Sequence, residues 1–356
     1  MSKWVTMVAR DLAPSRAFEM LKSKLEECGV RVAPYLGGGK PISAPGLRLM
    51  DVIGSDIVNS RLLLLGMSCT QELSAEEIAA ARLAQANGVP FGFYADIFGT
   101  SSREWFEPFR NSAKFLFVLS EAEAEATRKN FPKAEVIATG NPVLEGSFWP
   151  AKSVEDVRFL LRLNPDDRLM YVTAGKDLEV NRIHFGAVID AVSTLADCHW
   201  WRPVFMLHPG DQNSPAAYED VVFKNEKVTS KLMPGKLTKE LGLAALDVIN
   251  ACDFMAASAS TAGVEAACLR KPVADFFSPP GLKRIKEQTG GDTWPPCDFG
   301  VSRATHSASE LAEAMQSLMS PGGFEEMLER QFEHFPKPAE RGQAIRKMTE
   351  AVLGFI

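Results

Sequence analysis

Strand-like apolar runs alternate with segments of helical spacing along this chain, and the alternation runs its course twice, with an interruption in the middle. Trp4–Ala9 reads as a buried strand. Ser15–Cys28 reads as a helix with Phe18, Leu21 and Leu25 on one face and Gly29 ending it. Val30–Tyr35, Arg61–Met67, Val89–Ala95, Lys114–Leu119 and Glu135–Ala138 follow as strands. Two of the intervening helices open on Ser74-Ala75-Glu76-Glu77 and Ser120-Glu121-Ala122-Glu123, both with capping-box spacing, and stop near Gly88 and Phe131-Pro132. Strands separated by helices of this length pair in parallel, because a tight turn cannot join a parallel pair, and right-handed crossovers cover both faces of the sheet. The first part of the chain is therefore expected to fold as a Rossmann-like lobe.

The stretch from Gly140 to Lys152 is rich in residues that break regular structure, and is expected to be an inter-domain hinge about which the lobes move. The pattern then restarts. Strands are expected at Arg168–Thr173, Pro203–Leu207, Lys227–Met233, Asp253–Ala257 and Pro272–Phe276, with helices at Val180–Ala196, Leu241–Ala251 and Thr261–Leu269. A capping box at Ser307-Ala308-Ser309-Glu310 opens a further helix, and the breaker Pro321-Gly322-Gly323 precedes another. A last helix, Ala339–Leu353, carries Ile345, Met348 and Val352 on one face that must be buried. At 356 residues the chain exceeds what one growing core accommodates. The expected division is 1–145 joined by the C-terminal helix 339–356, and 146–338.

Net charge of −6 argues against wholesale binding of a phosphate backbone. Six cysteines without a C-x-x-C pair suggest a reducing compartment and no zinc site. The longest clean aliphatic run, Leu62 to Leu65, falls far short of a membrane span. With no export signal read at the N-terminus, a soluble cytoplasmic protein is expected.

In an open parallel sheet the binding edge lies at the C-terminal strand ends, where following helices point their N-termini. The strongest such junction is Asp253 to Ala267, a strand ending in Ser258, Ser260 and Thr261 that opens a small-residue helix. Amides of Ser260, Thr261, Ala262 and Gly263 with two hydroxyls suit a diphosphate, and Glu265, one turn on, suits the two hydroxyls of a ribose. The alternative is a capped helix with a solvated glutamate. Gly175-Lys176 is a second junction, with Gly175 permitting close backbone approach to an anion and Lys176 or Arg182 supplying countercharge. The loops at His208-Pro209-Gly210 and Met233-Pro234-Gly235 are placed to bracket a base; His208 has no second histidine at metal-ligand spacing.

The strand-end pattern S-x-S-T-x-G-x-E-A-A followed by Leu269-Arg270-Lys271-Pro272-Val273, together with Thr139-Gly140-Asn141-Pro142-Val143, resembles glycosyltransferases of the GT-B fold. The nearest families are the transferases of peptidoglycan and lipid-A synthesis and the UDP-N-acetylglucosamine 2-epimerases. The resemblance implies an α/β chain of two Rossmann-like domains facing each other across a cleft, with the last helix crossing back onto the first. It also implies a nucleotide sugar on the second lobe, a UDP-sugar as donor, with Glu265 on the ribose and Ser260 to Gly263 on the diphosphate. No metal and no cofactor beyond that substrate are expected. The acceptor stays open among a small molecule, a glycan, a lipid head group and DNA, because the first strand ends in Ala9-Arg10-Asp11 where the peptidoglycan type has a glycine-rich loop. Gly37-Gly38-Gly39 comes after the second strand instead and reads as a mobile acceptor-side loop.

In the related epimerases a carboxylate that works on protons stands where Asp96 does, with Tyr94 in place of a neighbouring histidine. Asp96 is the expected catalytic base, with Asp11 and Asp56 as its rivals in the first lobe, and Arg10, Gly38, Tyr94 and Trp105 are expected on the acceptor side, the run Trp105, Phe106, Phe109 walling a pocket. The alternative for Asp96 is a helix cap. The leading function is transfer of the sugar to an acceptor hydroxyl by a glycosyltransferase. The alternatives are an epimerase or hydrolase on the same fold, or a catalytically silent nucleotide-sugar-binding protein.

Overall fold

The computed structural model describes residues 4–42, 49–208, 210–289 and 292–356. Two compact units emerge: Met1–Gly146 with Lys286–Gly291 and Pro338–Ile356, and Ser147–Ile285 with Asp292–Lys337.

The first unit is built on six parallel strands, β1 Trp4–Ala9, β2 Arg31–Leu36, β3 Leu62–Gly66, β4 Phe91–Tyr94, β5 Phe115–Val118 and β6 Glu135–Ala138, in the order β2-β1-β3-β4-β5-β6. Unbroken apolar strands such as Leu62–Leu65 are buried on both faces. One face packs on Ala80, Ala84, Phe106 and Phe109; the other packs on Phe18, Leu21 and Leu25 of the first helix and on Ile345, Met348 and Val352 of the C-terminal helix Gln343–Phe355. That sheet face and the first helix are the burial partner that the apolar residues of the C-terminal helix demanded. Its N-terminus is held by Glu145, which is 7% exposed and accepts amides of Gly342, Gln343 (3.0 Å) and Ala344 (2.7 Å).

The second unit repeats the plan with β7 Arg168–Thr173, β8 Trp201–Met206, β9 Lys231–Met233, β10 Phe254–Ala257, β11 Val273–Phe276 and β12 Arg303–Thr305, all parallel, in the order β12-β11-β10-β7-β8-β9. Strand order reverses between β1 and β3 in the first unit and between β7 and β10 in the second. At such switch points neighbouring crossovers leave in opposite directions and open a crevice outside the carboxyl ends.

Several local expectations fail for identifiable reasons. Ser74 does not cap its helix: its hydroxyl donates to the Ser68 carbonyl (2.9 Å), and Glu77 turns instead to the β1 and β3 ends. Ser120 accepts from the Glu123 amide (3.3 Å), but the Glu123 carboxylate reaches Gly99 instead of closing the box. The helix expected at Leu241–Ala251 begins only at Ala245, after the separate Gly235–Glu240, and the strand expected from Lys227 forms only over Lys231–Met233. The Gly140–Lys152 segment is irregular only in part: Asn141 caps a short helix Pro142–Glu145 by accepting from Val143 (2.8 Å) and Leu144 (3.1 Å), a single helical turn Gly146–Phe148 follows, and Trp149 to Lys152 form neither helix nor strand. No helix among the described residues is long and apolar enough to cross a membrane.

Candidate functional site

In the second unit the β7–β10 switch point gathers most of the expected nucleotide-binding residues. The Ser258 amide donates to Thr173 Oγ1 (3.1 Å), tying the β10 end to the β7 end. Ala259 is bent into the left-handed region at φ 44°, costly for a residue with a Cβ, and its amide is fixed by Asp275 Oδ1 (3.0 Å). This kink sets Ser260 at the N-cap of the helix Thr261–Cys268. A Cβ on Gly263 would lie 3.1 Å from that of Ala257, so glycine here lets the helix press close to β10.

Half of the expected amide cradle is already used: the Ala262 amide donates to Ser260 Oγ (3.3 Å) and the Gly263 amide to the Ser260 carbonyl (2.9 Å). The Ser260 and Thr261 amides have no protein acceptor among the described residues. Glu265 is half-buried on this helix, and burial alone pushes its carboxyl up to about 7. A carboxylate desolvated without a cation beside it is suited to take hydroxyl donors.

The β7 end differs from expectation. The Gly175 amide donates to Asn181 Oδ1 (2.7 Å) while Asn181 returns a bond to the Gly175 carbonyl (3.1 Å), so this loop is clasped by a residue that sequence reasoning missed. Arg182 is spent elsewhere, on both oxygens of Asp220 and the Ala217 carbonyl. Its place is taken by Arg284 from the helix Pro279–Thr289, whose Nη1 lies 3.5 Å from where a Gly175 Cβ would project. Lys176 comes in from the other side, its Cε 3.1 Å from the Cβ position of Gly210 and close to the His208 ring. Neither Lys176 nor Arg284 has an acidic partner among the described residues. Partial burial lowers the proton affinity of His208, and Lys176 and Arg284 reinforce this against Asp211. Two unneutralised cations and a neutral imidazole at one strand edge suit a multiply charged anion. Met233 does not present its side chain there, being 3% exposed in the core, and Pro209 lies outside the described residues.

In the first unit the β1–β3 switch point holds a polar network. The Asp11 amide donates to Ser68 Oγ (3.2 Å), and the Ser68 hydroxyl (2.6 Å) and Arg10 amide (2.9 Å) both donate to Glu77 Oε1. Glu77 is fully buried, its Oε2 has no partner, and burial pushes its carboxyl up to about 7. Asp11 is the N-cap of the first helix, accepting from Leu12 (2.8 Å), and its second oxygen accepts from the Cys69 amide (3.4 Å). The Arg10 side chain is anchored on the Glu72 carbonyl (3.0 Å) and beside Glu76 (3.9 Å). The glycine loop is pinned: Gly37 and Gly39 donate to Ala9 (2.8 Å) and Arg10 (2.7 Å) carbonyls, and Gly38 to Ser15 Oγ (3.2 Å).

Asp96 follows β4, half-buried, with its carbonyl accepting from Asn141 Nδ2 (2.9 Å). Burial pushes its carboxyl up to about 7; Arg103 opposes that and Asp11 adds to it. It caps no helix in this structure. Tyr94 is turned the other way, fully buried against Phe18 with ring centres 5.9 Å apart, and Phe106 and Phe109 are core residues around Phe93. Of the aromatic run only Trp105 is partly exposed, its Nε1 donating to Ser74 Oγ (3.1 Å).

No family model matches the sequence, and no curated protein does either. Solved structures do match along the whole chain. The UDP-GlcNAc 2-epimerase of Neisseria meningitidis bound to UDP-GlcNAc is 13% identical, with 99% of this chain and 100% of that one covered and a TM-score of 0.60. A glycosyltransferase from Rickettsia africae is 11% identical over 99% and 98% of the two chains, at 0.61. The UDP-GlcNAc 2-epimerase of Methanocaldococcus jannaschii in complex with UDP-GlcNAc and UDP is 11% identical over 99% and 100%, at 0.58. At these identities the likeness establishes the fold, which is that of the GT-B proteins.

Proposed function

We propose that this chain is an enzyme acting on a UDP-sugar as an epimerase or hydrolase, with UDP-GlcNAc the first substrate to test. Its second unit holds the nucleotide: Glu265 takes the ribose hydroxyls, and the Ser260–Thr261 helix start with Lys176 and Arg284 takes the diphosphate. Its first unit carries the proton chemistry. The observation that carries the reading is Asp96, a half-buried carboxyl whose surroundings bring its proton exchange to about neutral pH, with Asp11 beside it as a second carboxylate.

Inverting the sugar carbon next to the anomeric centre requires a base to remove its proton. The electrons of that C–H bond form a C1–C2 double bond, while the anomeric C–O pair leaves with UDP. Return of a proton to the opposite face and of UDP to C1 closes the cycle; water in place of UDP gives hydrolysis. Two proton carriers are needed, and leaving-group charge must be offset by fixed dipoles and cations. The epimerases among the structural neighbours, those of Neisseria meningitidis and Methanocaldococcus jannaschii included, support this reading. A glycosyltransferase is the second reading, supported by the Rickettsia africae neighbour, in which Asp96 deprotonates an acceptor hydroxyl. Incubation with UDP-GlcNAc and no acceptor, followed by anion-exchange chromatography, separates them. An epimer or free UDP is expected; binding with no consumption would shift the assignment to the transferase.

A further inference from the structure

Arg103 is a cation in a place that is costly for one, 1% exposed behind the β3 and β4 strand ends. One guanidinium nitrogen donates to the carbonyls of Met67 (2.7 Å) and Ser68 (3.0 Å), and the group lies 5.9 Å from the centre of the Trp105 ring. Withdrawing such a charge from water costs several kcal/mol, so its retention calls for a use. Asp96 and Arg103 stand at the two ends of one short connection that folds back on itself. Thr100 Oγ1 bonds the Ile97 carbonyl, and the Ser102 (3.2 Å) and Arg103 (3.3 Å) amides donate to Gly99 and Thr100. Glu123, 2% exposed on the adjoining helix Glu121–Asn130, pins the turn through the Gly99 amide (3.0 Å).

Among the described residues, the titratable groups that face Asp96 are Asp11 after β1, Cys69 after β3, the buried Tyr94 phenol on β4, and Arg103, which Glu123 faces from its helix. Arg103 is the one cation of the set. We infer that Arg103 is a positioning residue for Asp96: the Met67 and Ser68 carbonyls, which follow Gly66 of β3 as Ala95 and Asp96 follow its partner Tyr94 of β4, hold a buried fixed countercharge at the end of the strand that carries the carboxyl. Burial and the neighbouring Asp11 both drive Asp96 toward a permanently protonated acid, useless as a base; Arg103 opposes them. The inference rests on the reading of Asp96 as the proton carrier. A residue serving only to latch the Met67 and Ser68 carbonyls would leave the titration of Asp96 where it is.

The test is a carbon-13 NMR titration of the full chain labelled at its aspartate carboxyls, with the Asp96 signal identified by its loss in Asp96→Asn. In Arg103→Met the midpoint should rise by at least about one pH unit, a ten-fold or greater gain in proton affinity. In Arg103→Lys, which keeps a charge but not the two-carbonyl latch, it should stay near the wild-type value, and UDP affinity by calorimetry should be unchanged in both. An unmoved midpoint in folded Arg103→Met overturns the inference. If that variant has no thermal transition, Arg103→Lys decides: a wild-type midpoint upholds the inference and a displaced one overturns it. Retained turnover in Asp96→Asn would instead sink the base reading, which the titration does not depend on.

Discussion

Glu265 and Arg284 make opposite points about single residues. Glu265 stands at helical spacing from the strand-end hydroxyls, and that spacing together with the family resemblance nominated it. Its half-burial without a cation is what makes it fit to bind hydroxyls. Glu265→Ala should weaken UDP by about ten-fold or more, the roughly 1.5–3 kcal/mol of a charge-assisted hydrogen bond; unchanged affinity by calorimetry would remove it from the site. Arg182 looked equally well placed, but a sequence does not show which cations are already neutralised. Its partner Asp220 sits on a helix, Ala216–Val222, that the apolar pattern did not reveal. Arg284→Ala should lower UDP affinity several-fold and make the remaining binding less salt-sensitive, whereas Arg182→Ala should leave it unaltered; the reverse order would restore Arg182 to the site. Asp96→Asn preserves shape and removes basicity, so turnover should fall roughly a hundred-fold or more while UDP still binds.

At the scale of elements, most strands were legible, because parallel strands buried on both faces write themselves as apolar runs, while the short edge strand Arg303–Thr305 was not. Caps were less legible. Ser74-x-x-Glu77 has the spacing of a capping box, yet Glu77 gives its accepting oxygen to Arg10 and Ser68, long-range partners that outcompete a local one. The short helix Pro142–Glu145 was hidden by the same glycine and proline residues that suggested a hinge. Its Glu145 joins the two ends of the first unit's chain by accepting three amides at the start of the C-terminal helix. Glu145→Ala leaves those amides without their acceptor in a mostly buried position and should cost about 2 kcal/mol in denaturant unfolding. A loss within a few tenths of that of an exposed glutamate control would show that water replaces it.

For the whole molecule, the unusual feature is a set of carboxyls that hold protons near neutrality because burial outweighs their partners: Glu77, Asp96, Glu123 and Glu265 at about 7, and Asp275 at about 6. Each binds its proton more tightly folded than unfolded. Their contribution is therefore fully present below about pH 4, where the unfolded chain is also protonated, and is lost as pH rises through about 7. Thermal melting should show stability from these groups declining between those limits, and Glu77→Gln, which mimics the protonated acid, should flatten the slope; an unchanged slope would mean Glu77 is ionised in the fold. No such property is visible in a sequence, since it depends on which acids the packing buries. Whether Asp96 of the first unit exchanges a proton with a UDP-sugar is read out by proton NMR of UDP-GlcNAc incubated with the protein in heavy water. Loss of the signal of the sugar hydrogen at C2, abolished in Asp96→Asn, is the predicted result, and a fully retained C2 hydrogen while the UDP-sugar is bound or turned over would contradict it.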